Sequence, residues 1–137
     1  MSDATDYAEA QFADMWFDAQ EPDGGVAAGD LGVALWTTAP ANDPDPDNEV
    51  SGDSYSRVTG TNWDLDLEAA PREYSNADEI DFGVLDTSDS TTVEGVVLVR
   101  EDLADDEFIY ANDDVSATVD AGNEFKINAG DATFNID

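Results

Sequence analysis

The order of apolar and polar positions changes character once along the chain. Over residues 5–19, TDYAEAQFADMWFDA, Ala8, Phe12, Met15 and Trp16 recur at helical spacing, which predicts one short amphipathic helix. Ser2 or Thr5 can cap its start, and EPDGG (Glu21–Gly25) brings the Pro and Gly that stop it. After Gly29 the pattern becomes one of strands and turns. LGVALWTT (Leu31–Thr38) is a short run of strand formers closed by Pro40. YSRVTGTNW (Tyr55–Trp63) alternates, with Tyr55 and Arg57 on one face and Ser56 and Val58 on the other. EIDFGVLDT (Glu79–Thr87) places Ile80, Phe82 and Val84 on one side, and VEGVVLVR (Val93–Arg100) is the nearly continuous apolar run of a strand buried on both faces. EFIYA (Glu107–Ala111), VSATV (Val115–Val119), EFKIN (Glu124–Asn128) and ATFNI (Ala132–Ile136) complete the series. Between them, DTSDST, ANDD, DAGN and NAGD are turn sequences whose Gly and Asn accept positive φ.

Roughly eight short strands with turn signals every 8–12 residues predict a mainly β fold. The expected architecture is an antiparallel β-sandwich, jelly-roll-like, with a short N-terminal helix. Residues 1–25 are read as helix and linker, and residues 26–137 as the sandwich domain. A chain of 137 residues is long enough for one ordinary core.

Charge changes the picture more than any motif. Lys and Arg number 4 against 34 Asp and Glu, a net charge of −30, while apolar residues still make up 41% of the chain. At low ionic strength the screening length reaches about 30 Å, so acids all over a small domain repel each other; in molar salt it falls to about 3 Å. The acids are spread along the whole chain, and this points to adaptation to multimolar salt rather than to an acidic face for one basic partner. Nucleic acid is excluded as a partner, because phosphate contacts need Lys and Arg. No stretch approaches the roughly 20 apolar residues of a membrane span, which argues against membrane insertion. The start MSDATDYAEA lacks the basic and apolar segments of a secretory signal, so the chain is expected to be made in the cytoplasm. Without cysteine no disulfide staples the fold.

Candidate chemistry is sparse. The absence of His and Cys removes the usual neutral-pH base, the thiol nucleophile and the best transition-metal ligands. Carboxylate pairs for glycoside cleavage would arise by chance among so many acids and carry no information. No glycine-rich phosphate loop occurs, no cofactor is implied, and an enzyme is not expected. NDPDPDNEVSGD (Asn42–Asp53) sets Asp43, Asp45, Asp47 and Glu49 on alternate positions, as a calcium loop would. Counted from Asp43, however, position six is Asn48 where such a loop needs Gly, and position twelve is Ser54 where it needs Glu. Pro44 and Pro46 stiffen the segment so that its acids point apart, and a solvated connection is expected in place of a cation site. Arg57, Arg72 and Arg100 stand among acids and are expected to form structural pairs with carboxylates. Lys126 falls opposite Phe125 and Ile127 and is placed on the solvent face. Among the aromatics, Trp63 in TNWDLD has the most polar surroundings and is the one candidate for an exposed platform.

Several blocks, read in order, resemble one family: the small virion proteins of tailed phages labelled tail fibre or minor structural protein. They are the helix ending in Gly24-Gly25, VALWTTAP (Val33–Pro40), NEVSGDSYSRV (Asn48–Val58), FGVLDT (Phe82–Thr87) and VDAGNEFKINAGDATFNID (Val119–Asp137). The chain departs from that pattern at DLDLEAAPREYSNADE (Asp64–Glu79), where the family has less charged, Gly- and Ala-rich sequence. The resemblance implies a non-enzymatic virion protein and carries over no catalytic, metal or cofactor residues. With the charge, it implies the exterior of a haloarchaeal tailed virus, as capsid decoration or turret, or as tail fibre or baseplate component, aiding host attachment. Expected partners are further copies of the chain in a closed homo-oligomer, other capsid or tail proteins and a host surface glycoprotein. The stripe of Phe12, Met15, Trp16 and Phe17 is expected to dock on the particle or a neighbouring subunit. A secreted or cell-surface carbohydrate-binding module of a halophile, with an aromatic platform, is the alternative, and a glycan-cleaving enzyme the third.

Overall fold

The computed structural model describes residues 2–4, 31–40, 44–66, 72–101 and 107–136. The helix expected over residues 5–19 and the stop at Glu21–Gly25 lie outside them. Twelve strands are found within the described residues, and every pairing among them is antiparallel. The fold is mainly β, as the alternating pattern predicts.

Its centre is the apolar run. Strand β8 (Gly95–Arg100) is buried at all six positions and has a strand on each side. It pairs with β2 (Leu31–Trp36) along one edge and with β9 (Glu107–Asn112) along the other. Outside them lie β3 (Val58–Thr59), on β2, and β1 (Ser2–Ala4), on β9, giving a five-stranded sheet in the order β1-β9-β8-β2-β3. Smaller sheets surround it: β12 (Thr133–Ile136), β5 (Arg72–Asn76) and β4 (Trp63–Asp66) form one, β11 (Glu124–Ile127) with β6 (Ile80–Val84) a second, and β10 (Ala117–Val119) with β7 (Thr91–Val93) a third.

Successive side chains of a strand point to opposite faces, so the central sheet divides its apolar residues between two clusters. On the first face Val33, Leu35, Val96, Leu98 and Tyr110 meet Ile80, Phe82, Val93, Val119, Phe125, Ile127 and Phe134 from the smaller sheets. That is the sandwich interior. Phe82 packs on Phe125 with ring centroids 6.0 Å apart, and Tyr110 on Phe134 at 5.6 Å. Each such side chain contributes about 1.5–3 kcal/mol by leaving water. On the second face Ala34, Trp36, Val97, Val99 and Ala111 form a separate cluster, with Phe108 edge-on to Trp36 at 5.5 Å.

Buried polar groups join the layers. Asn112 of β9 donates its side-chain amide to the Thr133 carbonyl at the start of β12. Asn76, at the end of β5, donates to the carbonyls of Asp78 (2.8 Å) and Asn128 (3.0 Å) and accepts from the Ala132 N–H (2.9 Å). A single side chain thereby satisfies three backbone groups around the turn that feeds β12.

Three strand expectations needed correction. Tyr55–Trp63, read as one alternating strand, is two: β3 ends at Thr59, Gly60 turns the chain with φ of 77°, and β4 starts at Trp63. Residues 64–76 were not read as strands, yet β4 pairs with β5 from Trp63↔Asn76 to Asp66↔Glu73. Ser2, one of two candidate helix caps, is the first residue of β1 and aligns with Asn112.

Candidate functional site

The acidic connection after β2 is the first place to look. Pro46–Asn48 form a single 3-10 turn, and the Asp45 carboxylate caps it by accepting from the Asp47 N–H at 2.9 Å. Beyond the turn the chain runs back along the end of β2: Thr37 N–H donates to the Asn48 carbonyl (2.8 Å) and Val50 N–H to the Leu35 carbonyl (2.9 Å). Glu49 is thereby turned inward, away from Asp45 and Asp47. Its two oxygens receive the guanidinium of Arg57 as a fork, Nε on Oε2 and Nη2 on Oε1, both at 2.8 Å. Arg57 Nη1 also reaches Glu101 at 3.2 Å. Asp43 lies outside the described residues.

Tyr55 is the hub of this cluster. Its hydroxyl donates to Glu49 Oε2 at 2.7 Å and accepts from the Leu35 N–H at 3.0 Å. Strand β3 aligns with β2 only at Gly32 and Val33, so the Leu35 N–H has no strand partner on that side. The phenol takes that place. Burial, and the hydrogen bond it gives to Glu49, push the ionisation of Tyr55 well above the ordinary value of 10. The alternation of Tyr55 and Arg57 onto one face is what lets both reach Glu49, and the structural pairing expected of Arg57 is present. Arg100 is buried within β8, 1% exposed, and the side chain of Arg72 lies outside the described residues.

A second polar cluster ties the loops at one end of the molecule. Asp53 accepts from the Thr87 hydroxyl (2.5 Å), the Thr87 N–H (2.9 Å) and the Ser54 hydroxyl (3.0 Å). Asp86 accepts from the N–H groups of Ser88 (2.8 Å) and Asp89 (2.9 Å), closing its own turn. Gly122 N–H donates to the Asp86 carbonyl at 2.8 Å, which brings in the turn between β10 and β11. Gly52 passes so close to the chain just after β6 that a Cβ there would sit 2.1 Å from the Leu85 carbonyl oxygen. The hydroxyl and N–H of Thr87 hold Asp53 below the ordinary carboxylate value of 3.8, and the N–H groups of Ser88 and Asp89 do the same for Asp86.

The remaining candidates separate. Lys126 is exposed on β11 as expected, with Glu79 and Asp81 at 3.9 Å and Glu124 at 4.0 Å from its ammonium. Trp63 is no platform: it packs edge-on against Phe134 at 5.4 Å, its indole N–H buried without a partner. A shallow groove of about 360 Å³ lies beside β11, where Asp114, Lys126, Asn128 and Asp131 surround Phe125 and Ile127. Phe125 is only 9% exposed, so the groove offers polar edges and little aromatic surface. Among the described residues no three acids are grouped to hold a metal ion, and no helix is long and apolar enough to cross a membrane.

Sequence reasoning missed Tyr55 and Asn76. The signal for Tyr55 was local, a Tyr-x-Arg pair on one face shortly after Glu49; for Asn76 only the bond to the Asp78 carbonyl is local, and the two that tie β5 to the turn before β12 reach 52 and 56 residues away.

What the described residues define is an antiparallel β domain whose ordered polar groups fasten loops to strands. The comparison with known families makes this particular: the family described as podophage GP4 fiber I protein gp80 matches residues 3–135, and the chain belongs to it. It is a structural protein of the phage-fibre kind, a component of a virus particle. No curated protein matches the chain.

Proposed function

We propose that this chain is a non-enzymatic component of the exterior of a tailed virus that infects a haloarchaeon. The observation that carries the virion role is the family match over residues 3–135; what carries the halophilic setting is a charge of −30 on a chain with an ordinary apolar content. In this reading the protein is a capsid decoration, turret, tail-fibre or baseplate subunit. It closes into a homo-oligomer because particle positions carry rotational symmetry that exterior proteins copy. It contacts other capsid or tail proteins at one end. The tied loops around Asp53 and Asp86 face outward, where a host surface glycoprotein would meet them. No catalytic, metal or cofactor residue is assigned: Glu49 is occupied by Tyr55 and Arg57, and Asp45 by its own turn.

Mass spectrometry of purified particles tests this. Peptides of this chain should be present in multiple copies per particle, with antibody label on the outer surface of intact particles. Particles free of the protein would overturn the reading.

A further inference from the structure

We draw no further inference here: the strongest candidate, the shallow groove lined by β11 and residues 114–116, where Asp114, Lys126, Asn128 and Asp131 surround Phe125 and Ile127, carries nothing, because its acids are those of the whole surface and nothing among the described residues shows what occupies it.

Discussion

Tyr55 shows how one hydroxyl holds a loop and a strand together. It stands where the short β3 stops serving β2, accepting from the Leu35 N–H and donating to a carboxylate already bound by Arg57. Tyr55→Phe keeps the ring against Phe82, 6.4 Å away, but leaves the Leu35 N–H without its acceptor. The expected loss is about 1–3 kcal/mol, read from denaturant unfolding in molar salt. The phenol also has a pH signature. Its folded pKa lies above the unfolded value of 10, so its contribution is complete below pH 10 and is lost as pH rises beyond it. In an ultraviolet titration the Tyr55 phenol should therefore stay protonated above pH 10 and ionise only as the fold opens. Ionisation of all four tyrosines together at the ordinary value would refute the burial argument.

Among the elements, the turn before β12 depends on Asn76 and the β6–β7 loop on Asp53. Asn76→Ala leaves the Asp78 and Asn128 carbonyls and the Ala132 N–H without their partner in a buried setting. About 3 kcal/mol should be lost, with fast amide exchange at Ala132 as the local reading. Thr87→Val removes the hydroxyl that contributes most to holding Asp53 low, so the Asp53 pKa should rise toward 3.8 in a carbon-detected titration. Because the folded value is depressed, this group's contribution is present above pH 3.8 and disappears as pH falls through the folded value. The sequence carried the elements whose environment is uniform. Gly95–Arg100 reads as a doubly buried strand because β8 is buried at all six positions, although Val93, read as part of that strand, instead ends β7 in another sheet; EFKIN alternates because Phe125 and Ile127 meet the core while Lys126 meets solvent. It hid β4 and β5, where WDLD and REYSN are short and interrupted by acids and so carry no apolar run that marks a strand. Bidentate pairing of an arginine was legible in kind. That its partner would be Glu49, and that Tyr55 would share it, depended on a loop path no local pattern specifies.

Across the whole molecule, the balance between core and charge decides stability. Both faces of the central sheet are dry, yet the chain carries −30. Self-repulsion grows as the screening length lengthens from about 3 Å in molar salt to about 30 Å at 0.01 M. Dilution from multimolar to low salt should therefore unfold the protein cooperatively, with a midpoint followed by circular dichroism. A fold that keeps its full stability at low ionic strength would remove the salt argument.

The first and last strands have a further consequence. Strand β1 lies against β12 as well as on β9, so residues 2–4 and 133–136 are neighbours. A passenger domain inserted at the exposed Ala121–Gly122 turn would leave that contact and every described strand in place, so the turn offers a position on the body where a cargo is carried.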